Sequence, residues 1–215
     1  MSSSTDFFKD AAQAIVDADR EAAMQIAKDA LAAGIEPGVI MQQGFVAGIG
    51  QVGELFESGE LFLPELMMSA QAMEGAMSVT NAALGEGAAA SRGRMVIGTV
   101  QGDVHDIGKA IVIAYLKANG YEVLDLGRDV PLATFLAKAA ETGAQVIGMS
   151  ALLTTTMEEQ KKLIARLVES GEREKYKVVV GGAPATQRWA DRIGADAYAE
   201  DASDGVKKID ALLGH

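Results

Sequence analysis

In the second part of the chain, short apolar runs alternate with stretches of helical periodicity, and this narrows the fold more than any other feature. "MVIGTV" (95–100), "YEVLDL" (121–126), "AQVIGMS" (144–150), "KVVVGG" (177–182) and "ADAYA" (195–199) are separated by helical patterns near 107–119, 131–142, 156–170, 185–193 and 203–213. Nearly continuous apolar runs suit strands buried on both faces, and a helix between successive strands returns the chain to the same starting edge. The pattern therefore predicts a five-stranded parallel sheet with helices on both faces. In such sheets ligands bind beyond the carboxyl ends of the strands, where the strand order switches.

The first part of the chain has a different period. From about residue 5 to 84, apolar positions recur at helical spacing: Ala23, Ile26, Ala27, Ala30 and Leu31 form one stripe, Val46, Ile49, Val52 and Phe56 another, and Leu66, Ala70, Met73 and Met77 a third. Gly34 followed by "IEPG" ends one helix and starts the next, with Pro37 suited to a first turn. "ESGELFLPE" does the same between the third and fourth helices, so a four-helix antiparallel bundle is expected. "GEGAAASRGR" (85–94) breaks the period with small, flexible residues and reads as a linker. The expected division is 1–88 as a helical bundle and 89–215 as an α/β domain.

Composition removes several chemistries. There is no cysteine, which excludes disulfides, thiolate metal sites, iron–sulfur clusters and cysteine nucleophiles, and favours the cytoplasm by default. Nineteen basic residues against thirty acidic ones give a formal charge of −11, without a basic cluster interleaved with aromatics, so nucleic acid is not an expected partner. The opening "MSSSTDFFKD" lacks the features of a signal peptide, and no apolar run approaches the ~20 residues that span a bilayer. No membrane association is expected.

Three loops fall at the carboxyl ends of the strands: "QGDVHDIGK", "SALLTTTMEEQ" and "GGAPAT". Each also has a plain structural explanation. Asp103 or Asp106 can cap the following helix, Thr155 with Glu158 or Thr156 with Glu159 has capping-box spacing, and paired glycines can simply make a turn. A phosphate receiver would want a lysine after a late strand, and a flavin site a Ser/Thr-rich first loop; neither is present, and the flavodoxin-like arrangement by itself selects no function. His105, with Asp103 two residues away, makes better sense as a metal ligand whose ring is held by a carboxylate. One histidine does not hold a free ion, so the remaining coordination would come from a macrocycle such as heme or a corrin.

These residues resemble the cobalamin-binding signature D-x-H-x-x-G, then S-x-L, then G-G. The chain supplies Asp103, His105 and Gly108, then Ser150 and Leu152, then Gly181 and Gly182, with 109–149 and 153–180 as the intervening stretches. Together with "VGELFESGELFLPELMMSAQAM", the resemblance extends over nearly the whole chain. It points to the corrinoid proteins of methyltransferase systems and to the cap plus cobalamin module of methionine synthase: a four-helix cap followed by a flavodoxin- or Rossmann-like five-stranded domain.

The resemblance implies cobalamin or a related corrinoid, methylcobalamin in the methylated state, with His105 replacing the cofactor's own base as lower cobalt ligand. Gly102, Val104, Asp106, Ile107 and Gly108 would surround that ligand. Ser150, Leu152, Thr154, Gly181, Gly182 and Ala183 would line the slot for the displaced nucleotide tail, with Ala202 at its outer end. Asp103 and Thr156 would form a proton relay to His105. Phe56, Leu63 and Leu66 would shield the methyl-bearing face, and the linker would be the hinge that moves them aside.

The implied activity is that of a methyl carrier rather than a complete enzyme, with cobalt cycling between Co(I) and methyl-Co(III). A donor-specific methyltransferase would load it, an acceptor methyltransferase acting on tetrahydrofolate or a thiol would unload it, and a reductive activator would rescue oxidised cobalt. The alternatives are a cobalamin-dependent sensor or regulatory binding protein, for which an added DNA-binding or signalling domain is lacking, and a detached mutase subunit, which lacks such a cap. The methyl donor, whether a methylamine, methanol, a methoxylated aromatic or a betaine, is not selected by the sequence.

Overall fold

The computed structural model describes residues 4–84 and 91–215. The expected linker at 85–94 falls largely on 85–90, outside the described residues. The chain forms two compact units: Met1–Arg92 with Ala114–Tyr121, and Gly93–Ile113 with Glu122–His215.

The helical unit contains α1 (Ser4–Val16), α2 (Arg20–Ala32), α3 (Pro37–Ile40), α4 (Val46–Glu57) and α5 (Leu63–Leu84). Local chemistry sets the starts: the Asp19 carboxylate accepts the Ala22 N–H at 2.9 Å as N-cap of α2, and Pro37 opens α3. The expected stripes point inward at Ala23, Ala27 and Ala30, at Ile49 and Val52, and at Leu66, Ala70, Met73 and Met77. The third helix of the bundle differs from expectation. Between α3 and α4 the backbone makes a π-helical stretch over Met41–Phe45, so that helix is a single rod with a widened turn. Close packing constrains it further: a Cβ on Gly48 would lie 2.4 Å from the Ala12 carbonyl oxygen of α1.

The second unit is the expected parallel sheet. Its elements are β1 (Arg94–Thr99), α6 (Ile107–Ala118), of which the residues from Ala114 onward group with the helical unit, β2 (Glu122–Asp125), α7 (Leu132–Thr142), β3 (Val146–Ser150), α8 (Met157–Glu169), β4 (Lys177–Gly181), α9 (Gln187–Ile193), β5 (Ala197–Tyr198) and α10 (Ala202–Leu213). The strand order is β2-β1-β3-β4-β5, every pair parallel. Ile147, Val178 and Val180 on the strands pack with Phe135, Leu163 and Leu167 on helices α7 and α8 in a fully buried layer.

Register matters for function. Thr99 pairs with Ser150, and Ser150 with Gly181, so the strand ends that precede the three motif loops stand side by side. The order reverses between β1 and β3, which places the crevice of this sheet where the loops after those strands meet.

Candidate functional site

Asp103 is the centre of the rim. Its side chain is 0% exposed, and all its acceptor capacity is used. Oδ1 accepts the His105 backbone N–H at 3.0 Å and lies 2.7 Å from His105 Nδ1. Oδ2 accepts the Leu152 N–H at 2.7 Å, the Leu153 N–H at 3.3 Å and the Thr156 hydroxyl at 2.7 Å. Burial by itself would raise the carboxyl pKa, but these hydrogen bonds outweigh it and hold the group well below the ordinary carboxylate range. Asp103 is therefore ionised, and its donors come from its own loop and from the loop after β3 rather than from α6.

The consequence falls on His105. An ionised carboxylate at Nδ1 assigns the ring proton to that nitrogen and leaves the Nε2 lone pair free to ligate. The Thr99 hydroxyl donates to the His105 carbonyl at 2.9 Å, which fixes the backbone as well as the ring. Around this half-exposed imidazole the rim presents apolar side chains to solvent: Val104 is 62% exposed, Ile107 75%, and Leu152 and Leu153 about as exposed as the ring.

The Thr156 hydroxyl bonds to Asp103 rather than capping its own helix. The oxygen lies between Asp103 Oδ2 and the Leu153 carbonyl, 2.9 Å from the latter, and the ionised acceptor is the stronger of the two.

The third motif loop supplies space. At Gly182, φ is +115° and a Cβ would lie 1.8 Å from the Ala151 carbonyl oxygen, so no side chain fits between this turn and the end of β3. A Cβ on Gly181 would meet the Ala199 carbonyl oxygen at 3.4 Å. Ser150 and Gly181 are strand neighbours, and Leu152 is bonded to Asp103. Ala202 is buried at the first turn of α10, while Thr154 and Ala183 are exposed. Phe56, Leu63 and Leu66 belong to the helical unit; Phe56 and Leu63 are half-buried there, and Leu66 is 1% exposed in its core.

Several contributing residues carried no sequence signal. Gln160, fully buried, donates to the Met149 and Gly181 carbonyls at 3.1 and 3.2 Å and accepts the Trp189 indole N–H at 2.9 Å, tying β3 to β4 beneath the rim. Lys109, also buried, pairs with Asp125 at the end of β2. The loop after β2 reaches the His105 loop as well. An amide-rich helix side chain and a turn look ordinary in sequence; only the pairing reveals them.

A carboxylate-held histidine, exposed apolar side chains on the same rim and a glycine turn closed to any side chain thus stand at the carboxyl ends of β1, β3 and β4. Comparison with known proteins shows the family. Residues 93–207 match the B12 binding domain family, and residues 8–80 match a second B12 binding domain family. The chain is 47% identical to trimethylamine corrinoid protein 1 of Methanosarcina acetivorans over 215 residues, covering 99% of this chain and 100% of that one. It is 48% identical to dimethylamine corrinoid protein 1 of Methanosarcina mazei, covering 99% of each. Among solved structures, it resembles a chain of the methanol:cobalamin methyltransferase complex of Methanosarcina barkeri, with a TM-score of 0.82 and 33% identity over 99% of this chain and 81% of that one. It also resembles a cobalamin-binding protein of Desulfitobacterium hafniense, with a TM-score of 0.73, 33% identity, and coverage of 94% and 96%.

The fold and site define a B12-binding protein. More particularly, the chain belongs to the corrinoid proteins of methyltransferase systems, and its cofactor is cobalamin or a related corrinoid. Among the described residues, no helix is long and apolar enough to cross a membrane.

Proposed function

We propose that this chain is a methyl carrier that binds its corrinoid with the cofactor's base displaced and His105 as lower ligand. The observation that carries the reading is the 2.7 Å contact between His105 Nδ1 and a fully buried, ionised Asp103, which leaves only Nε2 available to a metal. A bound corrinoid supplies a cobalt centre that accepts a methyl group and gives it up.

The chain's own residues orient, exclude and hold a proton. Asp103 fixes the ring plane through Nδ1, and Leu152, Leu153 and Thr156 fix Asp103 from the neighbouring loop. Gly102, Val104, Asp106, Ile107 and Gly108 form the floor around the ligand. Ser150, Leu152, Thr154, Gly181, Gly182, Ala183 and Ala202 take the displaced tail, for which the Gly182 turn leaves no competing side chain. Asp103 and Thr156 form the proton relay to His105: the ring meets Asp103 Oδ1 through Nδ1, and the Thr156 hydroxyl donates to Oδ2. Phe56 and Leu63, half-buried in the helical unit, shield the methyl group, and Leu66, buried in the core of that unit, contributes through packing.

The relatives named for trimethylamine and dimethylamine favour a methylamine as donor, delivered by a donor-specific methyltransferase. A second methyltransferase passes the group to tetrahydrofolate or a thiol, and a reductive activator restores oxidised cobalt. The test is to load the purified chain with hydroxocobalamin, remove unbound cofactor by gel filtration, and compare wild type with His105→Ala. Retention by the wild type, with a colour that changes and an affinity weakened about a hundredfold in the variant, is expected. No retention, or identical spectra, would overturn the reading. Methyl loading from trimethylamine or dimethylamine by their purified methyltransferases, and not from methanol by its own, then settles the donor.

A further inference from the structure

The loop after β2, "LGRDVP" (126–131), belongs to none of the three signature motifs, yet it grips the turn that leads to His105. Asp129 sits at φ +52°, one of two non-glycine residues with positive φ among the described residues. An L-residue adopts that conformation only where its surroundings compensate for the strain, although Asp and Asn tolerate it better than most.

From this position Asp129 holds both ends of one short segment. Its Oδ1 accepts the Gly102 N–H at 2.7 Å, and its own N–H donates to the Asp103 carbonyl at 2.9 Å. The adjacent Val130 N–H donates to the Thr99 carbonyl at 3.0 Å, and Arg128 Nε lies 3.5 Å from Asp106 Oδ2. The loop thus touches the His105 segment at 99, 102, 103 and 106, on both sides of the histidine. The Gly102 bond is the one made by a side chain with a full charge to a backbone amide, which strengthens and directs it. Asp129 is exposed and is 24 residues from His105 in sequence, so core packing gives no reason for an acidic residue in a strained conformation there.

We propose that Asp129 is a positioning residue for the axial ligand: it fixes the Gly102–Asp103 backbone so that His105 Nε2 meets the corrinoid in one orientation. This rests on the reading of His105 as lower ligand. Asp103 sets the rotation of the ring; Asp129 sets where the ring starts from. No proton moves in this role.

The test uses full-length wild type, Asp129→Asn and Asp129→Gly, each made with the spin-one-half isotope of nitrogen and loaded with hydroxocobalamin. The bound cofactor is reduced to the cobalt(II) state with titanium(III) citrate. In the electron paramagnetic resonance spectrum, an axial nitrogen from the protein splits each cobalt line into a doublet, the cofactor's own unlabelled base gives a triplet, and a missing axial nitrogen gives neither. Asn keeps both the acceptor and the tolerance of positive φ, so it should keep the doublet. Gly relieves the backbone strain but removes the acceptor. It should lose a substantial fraction of the doublet and retain corrinoid about three- to tenfold less tightly, the effect expected from one such hydrogen bond. Reading the doublet per bound corrinoid on protein recovered as folded monomer or oligomer from gel filtration separates this from partial unfolding. A glycine variant with wild-type doublet and affinity would overturn the proposal. A wild type that itself shows a triplet, or no splitting, would overturn the axial-ligand reading and this proposal with it.

Discussion

The two units of this protein use their residues in opposite ways. In the sheet unit, the residues that matter are polar, stand in loops, and bond across long stretches of sequence: Asp103 is joined to Leu152 and Thr156, and Gly102 to Asp129. In the helical unit, the residues proposed to matter are apolar and lie on helices, where Phe56 and Leu63 look much like the core residues beside them. Polar chemistry announces its purpose because a buried carboxylate must be explained by its partners. Apolar shielding does not, since any bundle needs such side chains anyway.

That contrast can be broken or sharpened by substitution, beginning where the effect should be greatest. Gly182→Ala places a Cβ against the Ala151 carbonyl oxygen at a positive φ, so it should cost about 3 kcal/mol or more in urea unfolding. A variant of wild-type stability would show that the turn moves freely and that the glycine is not required by packing. Leu66→Ala removes a fully buried side chain from the bundle and should cost about 3 kcal/mol while leaving the colour of bound corrinoid unchanged. A spectral change without destabilisation would move Leu66 from packing to shielding.

Asp103→Asn should cost about 1–3 kcal/mol at neutral pH through its mismatched donors. Its pH dependence has a definite sign. The folded carboxyl titrates below its unfolded value, so its contribution is fully present above the unfolded pKa near 4 and is lost as pH falls through that range towards the folded one. The wild-type advantage over the Asn variant in urea midpoint should therefore be constant from pH 7 to about pH 5 and shrink at lower pH. An advantage that grew on acidification would mean that the buried carboxyl is protonated. Phe56→Ala, at a half-buried position, should cost only about 1 kcal/mol, yet bound methylcobalamin should lose its methyl group to light faster than in wild type. Equal photolysis rates would leave Phe56 as ordinary bundle packing.

How much of this was legible follows the same physical line. The sheet was readable because buried parallel strands must be short and apolar and must alternate with helices, and the observed strands begin and end within a few residues of the apolar runs. The signature residues were readable because Asp103, His105 and Gly108 fall in one short stretch of sequence that runs from the loop after β1 into the first turn of α6. The π-helical stretch at Met41–Phe45 was not, because one widened turn leaves the apolar spacing of a helix almost unchanged. Thr156 has capping-box spacing, and only its 2.7 Å bond to a residue 53 positions away separates the two roles. Asp129 reads as a turn residue until its partner, 27 positions earlier, is known.

The amino-acid sequence alone determined the succession of elements, the three loops that meet at the sheet's rim, and the histidine placed among them, since periodicity and local motif spacing are properties of neighbouring residues. Only the tertiary structure decided which carboxylate is buried and ionised, which hydroxyl it recruits, and which distant loop holds the histidine's turn in place. Those outcomes depend on strand order and register, which bring separated segments within hydrogen-bonding distance, and on burial, which makes each such bond obligatory.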